Sequence, residues 1–252
     1  MVLGACEPET RRVLVLDLAL SDPGALTGTA TPWLRAGYDV DYRRFYPHPA
    51  RADAADYRVL LLLCGRAPEA PSDALRPSDL ALLADWVAAG GVLVLGYAGD
   101  GEGSLDRWTL NRWLDALGTG LAIDDSVVRG EVAAAPAGAD PQPWVTPQND
   151  GPVRGGGTVS FPAGRNHGLR APSGAVLAGA AGAPVMAAAR LGDGLLVVTS
   201  RHALAALGPE LRTSTAPFLA VTDVERARIF LVALARWTRR PAEWARVPPT
   251  RR

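Results

Sequence analysis

The chain of 252 residues contains no lysine, so all 26 of its basic residues are arginine. This absence excludes chemistry that needs a lysine amine, including a Schiff-base nucleophile and the phosphate-binding lysine of a P-loop. The arginines balance 26 acidic residues, and the formal net charge is zero. A neutral chain lacks the basic footprint that nucleic-acid-binding proteins carry. We therefore expect no nucleic-acid partner.

Cysteine is also scarce, because Cys6 and Cys64 are the only two in the chain. Two cysteines are too few for a disulfide framework, and we expect no bridge between these two. The segment Leu3-Gly4-Ala5-Cys6 is similar to a bacterial lipobox, but no charged segment and apolar run precede it in this sequence. We therefore expect a cytoplasmic protein, with the cell envelope as the alternative if Cys6 is the remnant of a lipobox.

Long apolar runs and clustered metal ligands are missing as well. No apolar stretch reaches the length of a membrane span. The histidines His48, His167 and His202 are widely separated, and no pair has the spacing of metal ligands. The pair Asp124-Asp125 could bind a cation, although a solvated turn is the more ordinary interpretation. We expect neither a metal site nor a cofactor.

What the sequence does contain is an alternation of strand and helix patterns. Nearly continuous apolar runs at residues 12–18, 57–63 and 92–96 indicate strands that are buried on both faces. The alternating segment 38–42 predicts a strand nearer the sheet edge. Helices are expected between these strands, and this alternation predicts a doubly wound, mostly parallel, flavodoxin- or Rossmann-like α/β sheet.

Three helices are predicted in this first half. One ends at Gly37, one covers residues 77–89 and ends at Gly90-Gly91, and one covers residues 104–117. The apolar faces expected to pack on the sheet consist of Leu80, Leu83, Trp86 and Val87 in the second helix, and of Trp108, Leu110, Trp113, Leu114 and Leu117 in the third.

The second half of the chain is less regular. Residues 131–157 are rich in Ala, Pro and Gly, and we expect an irregular insertion that can carry short β segments but lies outside the main sheet. The turn at Gly192-Asp193-Gly194 predicts a β-hairpin between strands 187–190 and 195–199. A final helix is expected over residues 223–238 and an extended tail over residues 239–252. We interpret residues 1–252 as one domain.

Ligands of open parallel sheets bind outside the carboxyl ends of the strands. The candidate ligand-binding residues at these ends are Asp17, Cys64, Gly65, Tyr97, Gly99, Asp100 and His202. The glycine-rich loop 96–103 lies between a strand and a helix, as a phosphate-binding loop does. Asp100 and Glu102 would repel a phosphate, and a connecting loop is the preferred interpretation. Trp144 in the insertion and Trp244 in the tail are either contacts for a partner or sugar, or anchors for their segments.

The pattern resembles the class I glutamine amidotransferase-like superfamily. The resemblance rests on the strand 13–16, the strand 57–63 with Cys64-Gly65, the passage from Trp86 through Gly90-Gly91 to Gly96, and the late segment 192–198. It is most similar to the non-catalytic branch found in gliding-motility and intraflagellar-transport proteins and in bacterial domains of unknown function.

The resemblance also implies where catalytic residues would lie. Enzymes of the superfamily carry a cysteine nucleophile on a sharp elbow after a strand, and the matching position here is Ala98. The family's histidine is matched by His202, but the acid two residues beyond it falls on Leu204. We therefore expect no amidotransferase activity.

These observations predict a non-catalytic amidotransferase-like domain that binds a partner protein or a small ligand at the carboxyl ends of the strands. Two alternatives stay open. One is a hydrolase or transferase that uses Cys64 with His202. The other is a carbohydrate-associated accessory domain, because domains similar to this one occur beside sugar-processing enzymes.

Overall fold

The fold is described from a computed structural model. The structure describes residues 11–19, 23–44, 48–64, 75–97, 107–128, 132–134, 158–159, 166–172, 176–180, 183–204, 230–247 and 249–250. The first half contains the elements β1 (Arg12–Asp17), α1 (Pro23–Arg35), β2 (Asp39–Arg44), α2 (Arg51–Asp56), β3 (Val59–Leu63), α3 (Pro77–Ala88), β4 (Val92–Tyr97) and α4 (Arg107–Ala116).

The second half is dominated by shorter strands. They are β5 (Ala122–Val128), β6 (Val132–Ala134), β7 (Thr158–Val159), β8 (Asn166–Arg170), β9 (Val176–Ala180), β10 (Ala183–Leu191) and β11 (Gly194–Ser200). The short helix α5 (Arg201–Leu204) follows directly. The described part of α6 covers residues 230–237, and a 3₁₀ helix covers Pro241–Arg246.

Nine described strands form one mixed sheet in the order β2-β1-β3-β4-β11-β10-β9-β6-β7. The five strands from β2 to β11 are parallel, and the pairs from β11 to β7 are antiparallel. The predicted parallel α/β character therefore applies to one half of the sheet. The predicted edge position of the second strand is confirmed, because β2 lies at the end of the order.

The apolar runs of the central strands supply side chains to both faces of this sheet. Val13 and Val15 pack on one face with α1, α5 and α6, whereas Leu14 and Leu16 pack on the other with α3 and α4. Alternate residues of a strand point to opposite faces, so a run without polar residues needs a cover on each side. Helices cover both faces of the parallel half.

Glycines fix the ends of two elements where the sequence predicted them. Gly37 ends α1 with a φ of 85°, in the left-handed region that favours glycine. Gly192 has a φ of 59° and forms, with Asp193, the turn of the predicted β-hairpin between β10 and β11. A side chain on Gly194 would overlap the backbone oxygens of Val87 and Gly91, where the hairpin meets the end of α3.

The predicted core face of α3 is confirmed, but that of α4 is wrong at one residue. Leu110 and Leu114 are fully buried, whereas Trp108 is 72% exposed. Trp108 precedes Leu110 by two residues, which is about 200° around a helix. It therefore points away from the face that contacts the sheet.

Three further expectations for the second half are corrected. The segment 131–157 does not lie wholly outside the sheet, because β6 pairs with β9 through Ala133 and Ala134. This pairing uses the backbone and therefore needs no apolar periodicity in β6. The pair Asp124-Asp125 lies in β5, which forms a separate two-stranded sheet with β8, and not in a simple turn.

The tail is not extended throughout, because residues 241–246 form the 3₁₀ helix. Trp244 is 2% exposed, and its indole Nε1 donates a hydrogen bond to the Trp237 carbonyl oxygen at 3.0 Å. Burial of a large indole against α6 stabilises a turn that the prolines alone do not predict. Trp244 is thus an anchor of its own segment, as one of the two interpretations held. Trp144 and Cys6 lie outside the described residues.

Candidate functional site

The carboxyl ends of four parallel strands meet at one edge of the sheet. Asp17 ends β1, Cys64 directly follows β3, Tyr97 ends β4 and Ser200 ends β11. The strand order reverses at β1, because the chain moves from β1 outward to β2 and then returns to β3 on the other side. Such a reversal opens a crevice in which α/β proteins bind ligands.

Asp17 lies at this reversal and is completely buried. Its Oδ1 accepts a hydrogen bond from the Ala19 N–H at 2.9 Å, and its Oδ2 accepts one from the Tyr42 hydroxyl at 3.0 Å. The Tyr42 hydroxyl in turn accepts a hydrogen bond from Arg44 Nε at 3.2 Å. Partial burial raises the pKa of Tyr42, and the nearby Asp17 carboxylate adds to this effect. Through the Tyr42 hydroxyl, these contacts connect the buried Asp17 carboxylate to Arg44 at the carboxyl ends of the strands.

Cys64 is a thiol with no exposed surface. Its backbone N–H donates a hydrogen bond to the Gly96 carbonyl oxygen at 2.8 Å, and its Sγ lies 4.0 Å from the Leu62 carbonyl oxygen. The side chain belongs to the apolar cluster under α3 and α4. A nucleophile must reach its substrate, so this burial favours a packing role for the thiol.

Tyr97 is 3% exposed and contacts a histidine that the sequence analysis set aside. The rings of Tyr97 and His167 lie edge to face, with centroids 5.6 Å apart and an angle of 65° between the planes. His167 belongs to β8 in the two-stranded sheet, and its Nδ1 lies 3.4 Å from the Asp124 carbonyl oxygen. Because His167 is far from Tyr97 in the sequence, no local pattern predicts this contact.

Ser200 is a second polar residue at these strand ends that was not among the predicted ligand-binding residues. It is 1% exposed and is the register partner of Tyr97 in the parallel pair of β11 and β4. The sequence does show that Ser200 lies at the end of an apolar strand, and this position is the signal that could have identified it. The structure therefore places Cys64, Tyr97 and Ser200 at the ends of three neighbouring parallel strands, and His167 against the Tyr97 ring.

Several predicted site residues are not placed by the structure. Gly65, Ala98, Gly99 and Asp100 lie outside the described residues. His202 lies in α5 directly after β11, but its side chain is outside the described part. These residues remain predictions.

The ion pairs with the clearest electrostatic consequences lie along β2 rather than in the crevice. The Tyr57 hydroxyl and the Arg12 guanidinium both bond to Asp41 Oδ2, at 2.9 and 2.7 Å. They lower the pKa of Asp41, the tyrosine bond having the larger effect, while burial and the contact with Asp41 raise the pKa of Tyr57. Because these partners satisfy one another, we interpret them as structural.

Among the described residues, no group of three or more His, Cys, Asp or Glu side chains is arranged to hold a metal ion. The carboxylate of Asp124 accepts hydrogen bonds from the backbone of Asp125 and Ser126, and Asp125 pairs with Arg107 at 3.0 Å. Within the same part of the chain, no helix has both the length and the apolar character that a membrane crossing requires.

No family model and no curated protein matches this sequence. Solved structures do share its fold. A ThuA-like protein from Parabacteroides merdae superposes with a TM-score of 0.51 at 12% identity, covering 91% of this chain and 90% of its own. The N-terminal domain of mmIFT52 gives 0.51 at 15% identity, covering 76% of this chain and 86% of its own.

A third similar structure is a cold-adapted β-galactosidase from Rahnella, with a TM-score of 0.53 at 14% identity. The match covers 92% of this chain, but this chain spans only 31% of the enzyme's length. At these identities the likeness concerns the fold alone. It agrees with the class I glutamine amidotransferase-like fold that the sequence resemblance implies.

Proposed function

We propose that the chain is a non-catalytic amidotransferase-like domain that binds a partner protein or a small ligand at the carboxyl ends of its parallel strands. The observation that carries this proposal is the complete burial of Cys64, the one thiol among the described residues. The sequence adds that alanine, Ala98, stands where the superfamily's nucleophile would be. A methyl group cannot attack an amide carbon, and a thiol under the helices cannot reach one.

The binding role is supported by the placement of the polar strand ends. Asp17 lies at the reversal of strand order, and Tyr97 lies at the end of β4, two strands away in the same half of the sheet. The site we propose includes both, together with Gly65, Gly99, Asp100 and His202. Cys64, which the sequence also placed there, is buried in the apolar cluster and packs instead. In this arrangement the sheet fixes the positions of the strand ends, where binding residues are commonly carried.

The test is release of ammonia from glutamine by the purified chain, beside an active amidotransferase as a positive control. We expect no release above the rate in buffer, and no difference between the unaltered protein and Cys64→Ser. Turnover that disappears in both Cys64→Ser and His202→Ala would overturn the proposal. It would favour the alternative hydrolase or transferase that uses Cys64 with His202.

A carbohydrate-associated accessory domain is the second candidate, favoured by the fold likeness to one part of the Rahnella β-galactosidase. Native mass spectrometry of the gently purified protein separates the two. A bound hexose or oligosaccharide would favour the accessory domain. Co-purification of a protein, or of a ligand that is not a sugar, would favour the first proposal.

A further inference from the structure

A cavity of about 360 Å³ lies at the amino ends of the parallel strands. The described residues that line it are Ala36, Arg236, Arg239 and Arg240. Ala36 directly follows α1 and precedes β2, so it lies on the side where the parallel strands begin. The candidate site described above lies where these strands end. The cavity is therefore a second place on the molecule and not part of that crevice.

The wall of this cavity is cationic because three arginines come from one turn of the chain. Arg239 and Arg240 follow Arg236 by three and four residues, and such spacings place side chains on the same side of a helix. The Arg239 N–H donates to the Arg236 carbonyl oxygen at 3.1 Å, so the turn continues past the end of α6. Among the described residues that line the cavity, none is acidic.

The guanidinium of Arg239 is held in place by its neighbours. Its Nη1 donates a hydrogen bond to the Ala36 carbonyl oxygen at 3.1 Å, and its Cζ lies 5.5 Å from the centroid of the Tyr38 ring. The Tyr38 hydroxyl is in turn hydrogen-bonded to Thr238 Oγ1 at 2.9 Å. A donor group that is positioned before a ligand arrives loses less conformational freedom on binding.

The end of a helix explains one part of this arrangement. The carbonyl oxygens at a helix C-terminus attract cations, and the bond from Arg239 to Ala36 serves the end of α1 in this way. That role does not require three guanidinium groups around one cavity, because like charges at these spacings repel one another. An anion in the cavity would offset this repulsion.

We propose that the cavity binds a phosphate group, either as the free ion or as the monoester of a small molecule. The planar fork of a guanidinium forms two parallel hydrogen bonds with phosphate oxygens. A phosphate monoester carries a charge of about −1.5 to −2 at neutral pH and three acceptor oxygens, which match several arginines better than one carboxylate does. The volume lies near the lower end of the range of about 300–1,000 Å³ for ligand pockets, which suits a small molecule.

The experiment is isothermal titration calorimetry of the whole chain at about pH 8, where phosphate is a dianion. The probes are inorganic phosphate, glycerol 3-phosphate and acetate, at constant ionic strength with chloride as the background anion. We expect at least one of the two phosphates to bind at least about tenfold more tightly than acetate. Tighter binding of glycerol 3-phosphate than of inorganic phosphate would identify a monoester site, and the reverse order a site for the free ion.

Variants that remove one charge then locate the binding site. Arg236→Gln and Arg240→Gln should each weaken phosphate binding about tenfold or more, as expected when a hydrogen bond between charged groups is lost. Arg112→Gln is the matched control, because Arg112 is exposed on α4, which packs on the opposite face of the sheet from α6. It removes the same charge and should leave the affinity unchanged.

Three results would overturn the inference. They are no binding of either phosphate, binding of acetate as tight as that of phosphate, and equal weakening in Arg236→Gln and Arg112→Gln. The first would mean that the guanidinium groups are satisfied within the chain. The inference is independent of the proposed function, since neither ammonia release nor ligands of the strand carboxyl ends enter the test. The titration uses the unaltered protein, so it remains decisive even if a variant does not fold.

Discussion

The two halves of the sheet are built on different principles. In the parallel half, β1, β3 and β4 are continuous apolar runs that are covered by helices on both faces. In the antiparallel half, β6 and β7 have only three and two residues, and β9 is the alanine- and glycine-containing segment Val-Leu-Ala-Gly-Ala. One half is specified by side-chain burial, and the outer part of the other by backbone pairing.

The parallel half should carry most of the stability of the chain and also the candidate site. Burial of large side chains contributes most of the favourable free energy of folding, so the parallel half should dominate the stability of the chain. The candidate site uses the carboxyl ends of that half, with His167 supplied by the separate pair β5–β8. The comparison can be tested by removing packing from one half and pairing from the other.

The largest effect is expected for Trp86→Ala in α3. Trp86 is 9% exposed and packs in the cluster that covers the parallel half, so its loss should lower the free energy of unfolding by about 3–5 kcal/mol. Trp108→Ala is the matched control, because Trp108 is 72% exposed and its loss should cost less than about 0.5 kcal/mol. Urea unfolding measures both. A loss below about 1 kcal/mol for Trp86→Ala would contradict the assigned packing of α3.

An intermediate effect is expected at the β2 edge, where Arg43 and Asp53 form two hydrogen bonds of 2.9 and 2.7 Å. These bonds lower the pKa of Asp53, so the pair stabilises the fold fully above the unfolded pKa of about 3.9. That stabilisation disappears as the pH falls through the lower folded pKa. Asp53→Asn should cost about 1.5–3 kcal/mol at neutral pH, and less at acid pH.

The dependence of the unfolding free energy on pH distinguishes the Arg43–Asp53 pair from a general effect of charge. Asp115→Asn, on the exposed side of α4, is the control and should leave the profile of the unaltered protein intact. The difference in unfolding free energy between Asp53→Asn and the unaltered chain should shrink as the pH falls below the unfolded pKa of about 3.9. A constant difference from neutral pH to below that value would show that the stabilisation does not come from the charge on Asp53.

The smallest effect is expected at the opposite edge of the sheet. Deletion of residues 131–157 with a short Gly-Ser linker removes β6 and its backbone pairing with β9. We expect a cooperative melt and a loss of about 1–2 kcal/mol, the size of one or two backbone hydrogen bonds. A deletion of residues 136–156 that keeps β6 is the control and should cost less. Loss of folding in the larger deletion, with folding kept in the control, would mean that the antiparallel edge is as important as the parallel half.

The sequence predicted the parallel half well because each strand there carries its own signal. Continuous apolar runs, helix faces and terminating glycines are local patterns, and α3 with Leu80, Leu83, Trp86 and Val87 matches its prediction residue by residue. Trp108 is wrongly predicted on the buried face of α4 because the prediction uses its apolar character alone and not its angular position around the helix. A strict 3.6-residue periodicity would have separated it from Leu110 and Leu114.

The antiparallel edge and the pair β5–β8 could not be predicted in the same way. Their strands are short, and β5 combines Asp124, Asp125 and Ser126 with an irregular register. Such segments are ordered by partners that are distant in the chain, and a single sequence contains no record of that pairing. His167 was not predicted as a site residue for the same reason, because it contacts Tyr97 from β8, a strand that no local pattern indicates. Ser200 was visible at a strand end, but its partnership with Tyr97 depends on the register.

The contact between Gly194 and the end of α3 has a consequence for comparing this chain with others. Any side chain at position 194 would collide with the main-chain oxygens of Val87 and Gly91, which cannot rotate away as a flexible side chain could. A position of this kind retains glycine however far the surrounding sequence drifts. At 12–15% identity, where residue matching is ambiguous, we expect Gly194 to be a fixed point from which a distant alignment can be built.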